Sequence, residues 1–548
     1  MINLTMVHYL SRFQEATRNF WDKPALNTIG GESFTYCQMS TLIEKFHIFF
    51  DQAMEKERNV AIWAKNSARW GMSFFAVNTY GAVAVPLLAD FTPDTVIRLI
   101  NHSECTIVLT NADKWNRLDP SMMPQVRVAV DVDNLSLLYC TDPDLEKTWE
   151  SLDDLLASRY PSGFGPDDVV YPSDNWDDLA VISYTSGSTG DPKGVMLTYR
   201  NFSATVDFSQ EKRPTSEHNK MVSMLPMAHM YGLVTEFIYP LCFGTSIYWL
   251  GKAPTPATLM KAFQEVRPYQ LITVPLVMEK IFKSKIKPVI DKPLVKVLCC
   301  IPLVNRIIFN KIRKGLIDAF GGNITEIILG GAPVNPEVEK WFKRIRLPYM
   351  VGYGMTEATP LLAYEDASKY VAGSCGKAVS CCTVRIDSSD PQHVPGEIQA
   401  KGDNICIGYY KNPEATAAAF TEDGFLKTGD LGIVDKDGNI FIKGRSKCMF
   451  LGPSGQNIYP EELEAFVNCE PFVVETVVVD REGRIVALVY VDKAAVQEAG
   501  LSMEQIPEKI KAGANRHLPG YSKIAKVEIV DQPFEKTPKM SIKRFLYK

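Results

Sequence analysis

The chain has 548 residues, 46% of them hydrophobic and 22% charged, which is ordinary globular composition at a length too great for one core. A formal net charge of −5 argues against a nucleic-acid protein and leaves any anion site to local residues. Twelve scattered cysteines, with no C-x-x-C and no clustered histidines, predict reduced thiols rather than disulfides or zinc.

Residues 1–8 have no basic region leading into an apolar core, so no signal peptide is expected. No uninterrupted apolar run reaches the roughly 18 residues of a spanning helix. The localisation expected is cytoplasmic, with membrane association left to surface segments. From 1 to about 175 short apolar runs (60–63, 82–87, 106–110 and 126–130) alternate with helical stretches such as 92–102. That alternation predicts an α/β layer with a mainly parallel sheet.

A polar lead-in at 174–178 opens onto Tyr184-Thr185-Ser186-Gly187-Ser188-Thr189-Gly190-Asp191-Pro192-Lys193-Gly194, flanked by strand-like runs at 179–183 and 195–197. Glycines let backbone N–H groups turn toward an anion, hydroxyls donate further hydrogen bonds, and Lys193 adds positive charge. The spacing is not that of a Walker loop, since no Gly-Lys-Ser/Thr follows and the next element reads as a strand. A polar surface hairpin is the competing explanation.

Beyond Asn201 the pattern continues with a helix, a strand at 222–226, an apolar stretch at 231–250, and a strand at 271–275 leading into a helix. Residues 283–314 are both apolar and basic: Lys283, Lys285, Lys287, Lys292, Lys296, Arg306, Lys311, Arg313 and Lys314 interleave with Ile, Leu, Val and Phe. Helices with one solvated face explain this composition; so does a surface that rests on an anionic membrane. Past about 370 short strands and glycine turns predict a small β unit, and after Arg445 about a hundred residues remain, a size that can move as a lid.

Four further motifs carry chemistry. Leu225-Pro226-Met227-Ala228-His229-Met230-Tyr231-Gly232 sets a histidine among apolar groups, and Gly330-Gly331-Ala332-Pro333 suits either close approach to a flat ring or a tight turn. Val351-Gly352-Tyr353-Gly354-Met355-Thr356-Glu357 places a carboxylate beside a hydroxyl, ligands that a hard cation bridging phosphates prefers. Lys427-Thr428-Gly429-Asp430 adds a second carboxylate, with Arg445 fifteen positions later.

Together with the 184–194 loop, and in this order, these motifs resemble the adenylate-forming superfamily of acyl-CoA synthetases, luciferases and peptide-synthetase adenylation domains, and most of all its long-chain fatty acid:CoA ligases. The resemblance runs from about residue 30 to 548. It implies an α/β fold: a large N-terminal domain (1–444) of layered α/β subdomains plus a small β unit, and a small mobile α+β lid (445–548) hinged near Lys447. The implied cofactors are ATP, Mg²⁺ and coenzyme A. Nucleotide contacts would come from Thr185, Ser186, Gly187, Ser188, Thr189, Gly190 and Lys193, from Gly331, Ala332 and Pro333, from Gly352, Tyr353, Gly354, Met355 and Thr356, and from Asp430 and Arg445. Within that set the resemblance puts Tyr353 on adenine, Thr356 on the α-phosphate, and Asp430 with Arg445 on the ribose. Glu357 and Thr185 would hold the metal, and Ser454, Gly455 and Gln456 would line the pantetheine path. His229, Glu357, Lys193, Thr356 and Lys447 are the implied catalytic residues.

The implied activity joins a fatty acid to CoA through acyl-AMP. One alternative loads a separate carrier protein, and another is non-catalytic acyl or nucleotide binding. The latter rests on Ser541, which takes the slot of a lysine usual in the family within Lys536-Thr537-Pro538-Lys539-Met540-Ser541-Ile542-Lys543-Arg544. Lys539 or Lys543 is the expected substitute. The partners expected are a fatty acid, a possible homodimer and a possible peripheral membrane contact through 283–314, with no nucleic acid.

Overall fold

A computed structural model describes residues 6–54, 58–185, 192–252, 255–451, 457–536 and 542–547. Its largest sheet has eight strands, in the order Gly408–Tyr409, Lys193–Thr198, Leu179–Thr185, Val83–Pro86, Asn59–Trp63, Ile107–Thr110, Val128–Asp131 and Leu137–Cys140. The four central pairings are parallel; the three toward the edges are antiparallel. The expected alternation of strands and helices therefore holds at the centre, while hairpins close both flanks.

A second sheet orders Lys220–Ser223, Ser246–Trp249, Pro24–Thr28 and Ser33–Thr35. Between the two sheets lies the helix Ala68–Thr79, begun by Ser67, whose side chain accepts from Trp70 N–H. Almost all of this helix is buried, because sheets cover two sides of it. Gly71 is required there: a Cβ would sit 2.8 Å from the Phe237 ring.

A third sheet, all parallel, holds Gln270–Thr273, Glu326–Leu329 and Tyr349–Val351. Parallel strands end at one edge, and here that edge leads into Val274-Pro275, Gly330-Gly331 and Gly352. Gly330 N–H donates to Thr273 at 3.1 Å and Gly352 N–H to Leu329 at 2.8 Å, which keeps the three exits level.

The small β unit is the antiparallel sheet Cys382–Asp387, Gly396–Gly402, Leu426–Val434 and Ile440–Arg445. Asn201 ties it to the body. Its side chain accepts from Thr198 N–H as part of the cap on helix Tyr199–Lys212, and its amide donates to the Asp403 and Ile405 carbonyls, both at 2.8 Å.

The C-terminal part has its own core on the sheet Val473–Arg481, Arg484–Val491 and Lys526–Val530, covered by helices Pro460–Val467 and Ile506–Ala514. Glu464 is buried there against Arg544 and accepts from Val478 N–H at 2.7 Å. Burial pushes its carboxyl up to about 7 even though Arg544 pulls it down.

Candidate active site

The strands Leu179–Thr185 and Lys193–Thr198 form a hairpin whose register sets Thr185 opposite Lys193 at its mouth. Gly194 belongs at that mouth because a Cβ would meet Ile182 at 2.8 Å. Gly408–Tyr409 adds a strand to the hairpin's outer side, pairing Tyr409 with Val195. The Lys193 ammonium then lies 5.0 Å from the centre of the Tyr409 ring. The Tyr409 hydroxyl donates to Glu357 at 3.0 Å. A residue of no evident chemical promise in the sequence thus joins the loop lysine to the acidic motif.

Glu357 lies in a single 3₁₀ turn, Thr356–Ala358, where both it and Thr356 are buried. The turn is fixed from both sides. Met355 N–H donates to the Pro360 carbonyl at 2.7 Å, and Cys406 N–H donates to the Glu357 carbonyl at 2.8 Å. Only glycine fits at 354, since a Cβ would be 1.8 Å from the Pro360 oxygen.

On the other side of the same turn, the buried Tyr353 donates its hydroxyl to Asp430 at 2.8 Å. Strand register pairs Asp430 with Arg445, and the guanidinium reaches the carboxylate at 3.0 Å. Asp430 is buried while Arg445 is largely exposed, so the pair looks outward. Burial raises the Asp430 carboxyl above its ordinary value, with Arg445 and the Tyr353 hydroxyl acting in the opposite sense.

His229 caps the short helix Met230–Gly232, its Nδ1 accepting from Tyr231 N–H at 3.2 Å. Tyr231 reaches across to the Ile328 carbonyl at 3.3 Å, and its ring lies where a Cβ on residue 330 would fall, 2.9 Å away. The flat ring against Gly330 is therefore the protein's own. Gly331 follows with a φ of 83°, and Gly331, Ala332 and Pro333 stay exposed.

Glu236 lies beneath this region, fully buried. Its Oε2 accepts from Ser223 Oγ at 3.0 Å and from the N–H groups of Met224 and Leu225 at 3.0 and 2.9 Å. Burial pushes its carboxyl up to about 8, the three donors pulling the other way. It braces the segment that leads to His229.

Lys447 follows in an exposed turn after Ile440–Arg445, where Cys448 and Met449 N–H both return to the Arg445 carbonyl and Ser446 N–H donates to Gly429. Next to that turn the helix Pro460–Val467 meets the body, with Lys443 and Glu462 3.2 Å apart. Gly444 leaves room for Tyr459 and Glu461. Near the C-terminus, the ammonium of Lys536 pairs with Glu475 at 2.6 Å and that of Lys543 with Glu535 at 3.3 Å. Ser186, Gly187, Ser188, Thr189 and Gly190, with Ser454, Gly455, Gln456, Lys539 and Ser541, lie outside the described residues.

Among the described residues no cluster of three or more His, Cys, Asp or Glu side chains could hold a metal unaided. One carboxylate and one hydroxyl, Glu357 and Thr185, suit an ion that takes most of its ligands from phosphates and water.

A family model described as AMP-binding enzyme matches residues 13–410, and one described as AMP-binding enzyme C-terminal domain matches 451–547. The chain belongs to the AMP-binding enzyme family. Among curated relatives in this family, long-chain-fatty-acid–CoA ligase 5 of Rattus norvegicus is 28% identical over 441 residues, 75% of this chain. That match spans 63% of the rat enzyme's length. The 4-coumarate–CoA ligase 1 of Petroselinum crispum is 27% identical over 533 residues, covering 93% of this chain and 88% of the relative. Among solved structures, ATP-bound MatB from Rhodopseudomonas palustris superposes with a TM-score of 0.75 at 22% identity, over 97% and 98% of the two chains. The anthranilate CoA ligase AuaEII with anthranoyl-AMP reaches 0.78 at 16% identity, over 99% and 97%. These structural likenesses establish the fold, a large α/β domain followed by a small C-terminal one.

Proposed function

We propose that this AMP-binding family member is an ATP-dependent acid–thiol ligase that activates a long-chain fatty acid as acyl-AMP and passes the acyl group to CoA. The observation that carries the reading is the segment 353–357, a short strand running into the 3₁₀ turn. It presents Glu357, joined through Tyr409 to Lys193, on one side, and Tyr353, joined to Asp430 and Arg445, on the other. One end suits a polyphosphate and the other a ribose diol.

In the first step a carboxylate oxygen of the acid attacks the α-phosphorus of ATP, and the bond to the leaving pyrophosphate breaks. Lys193 and Thr356 hold developing negative charge, so their contribution is positioning and electrostatics. Bound Mg²⁺ would be held by Glu357 with Thr185 and would supply charge neutralisation on the phosphates. In the second step the CoA sulfur attacks the acyl carbon and AMP leaves with the electron pair of the broken C–O bond. His229, braced through Glu236, lies on the side of the reacting carboxylate. Residues 1–444 form the body and 445–548 the lid, and the exposed turn at Lys447 is the pivot between the two steps.

A long acyl chain is favoured by the fatty-acid ligases among the relatives and by the apolar surroundings of His229. A lipid surface against 283–314 is the partner that goes with such a substrate. Lys543, paired with Glu535 within the lid, is one candidate to replace the lysine absent at 541. The reading is tested by pyrophosphate release across a chain-length series of acids, with and without CoA. Release that rises with chain length, with acyl-CoA formed only when CoA is present, is the expected result. Turnover confined to aromatic acids would overturn the substrate assignment, and turnover only with a holo-carrier protein would overturn the acceptor.

A further inference from the structure

The crossover between Gln270–Thr273 and Glu326–Leu329 contains an apolar surface that none of the described residues covers. Helix Pro293–Leu298 buries none of its residues, and among those of helix Val304–Ala319 only Leu316 is buried. Leu294, Val297, Leu303 and Ile307 are 62–71% exposed, and Ile301 between them is 42% exposed. Leu294 and Val297 stand three residues apart, on one face of their helix. The opposite side of helix Val304–Ala319 is anchored, with Phe309 edge-on to Trp341 at 6.1 Å. Single exposed leucines need no explanation, but five large apolar side chains within fourteen residues form a patch of the kind that marks an interaction surface.

The charge around that patch selects its occupant. From Lys280 to Lys314 there are ten lysines and arginines and a single acid, Asp291, which pairs with Lys296 at 3.1 Å. This concentration stands out in a chain whose net charge is −5. Apolar side chains rimmed by cations match a bilayer bearing anionic headgroups, where the apolar groups enter the acyl boundary and the lysines stay at the phosphates.

We propose that residues 293–307 are the membrane-docking edge of this protein and bind the surface of anionic bilayers. The edge is joined to the candidate site. Helix Pro275–Ile281 starts the same crossover, exposes Leu276, and holds through Glu279 the N–H of Asn335 at 2.9 Å, two residues past Pro333. If the substrate is the long-chain acid proposed above, which partitions into membranes, docking here would deliver it beside the loop at 330–333. That extension rests on the proposed function; docking itself does not.

The test is co-sedimentation of the full chain with phosphatidylcholine vesicles, with and without phosphatidylserine, at low and high salt. Binding is expected only with phosphatidylserine and should weaken with salt. The variant Leu294→Ser/Val297→Ser/Ile307→Ser changes exposed residues only and should lose at least about tenfold in partitioning. Lys292→Glu and Lys296→Glu should each lose about fivefold or more. Equal binding to both vesicle types, no binding, or wild-type binding by the triple variant would each overturn docking at this edge. So would concentration-dependent self-association abolished by the triple variant, because a second copy would then be the occupant. Ligase activity on a long-chain acid delivered without vesicles is measured in parallel. Binding without activity would count against the proposed function alone, and activity without binding against docking alone.

Discussion

Two buried carboxylates frame the site and differ in what faces them. Asp430 is buried but faces a guanidinium 3.0 Å away and a phenol 2.8 Å away. Glu236 is completely buried and meets only a hydroxyl and two backbone N–H groups, all on one oxygen, while its other oxygen has no partner among the described residues. An opposite charge lets a buried acid keep its ionised form, and neutral donors offset burial only partly. Burial raises both carboxyls; at Asp430 the Arg445 guanidinium pulls against it, whereas at Glu236 only neutral donors do, and those donors fix backbone.

The largest expected effect is at the charge closest to the proposed chemistry. Glu357→Gln should slow pyrophosphate release about 10²–10³-fold and raise the Mg²⁺ concentration required, since it removes a charged group from the phosphate end. An unchanged Mg²⁺ dependence would remove Glu357 from that role. Asp430→Ala should weaken nucleotide binding about 10²-fold, from the loss of two hydrogen bonds to a charged acceptor. Acid selectivity should stay as it is. If chain-length preference shifts while nucleotide affinity holds, Asp430 serves the acyl side instead.

Glu236 carries the pH prediction. Its folded carboxyl titrates near 8 against an unfolded value of 4.5, so between those values the folded state keeps a proton that the unfolded chain releases. Stability from this group is intact below about pH 4.5 and falls as pH rises to about 8, by on the order of 5 kcal/mol. Glu236→Gln mimics the protonated form, so its melting temperature should exceed that of the wild type increasingly from pH 5 to 8. Parallel melting curves would mean that Glu236 stays ionised in the fold. The smallest effect belongs to Tyr409→Phe, which deletes one hydrogen bond to Glu357 and should cost about fivefold in the first step. No change would leave Tyr409 a packing group.

The contrast also marks what the chain reveals before it folds. The five strands joined by parallel pairings in the main sheet read as apolar runs, because parallel strands buried on both faces need no alternation. Asp430 and Arg445 were legible because their motifs keep them fifteen residues apart, and a β-hairpin converts that spacing into a cross-strand pair. Tyr409 was not. Its place depends on an edge strand pairing with Val195, more than two hundred residues earlier, and nothing local in Gly408-Tyr409-Tyr410 announces that partner. The pairing of Pro24–Thr28 with Ser246–Trp249 was hidden for the same reason. Glu236 is the acid nearest to His229 in the sequence, but its role depends on the backbone donors of 224 and 225, which only folding supplies.

The central claim is that the segment 353–357 serves attack of an acid on ATP at the α-phosphorus. Exchange of labelled pyrophosphate into ATP measures that step without CoA. The expected result is exchange that requires both a fatty acid and Mg²⁺ and falls by about two orders of magnitude in Glu357→Gln. Absence of acid-dependent exchange in a wild type that binds ATP, or release of ADP in its place, would contradict the account.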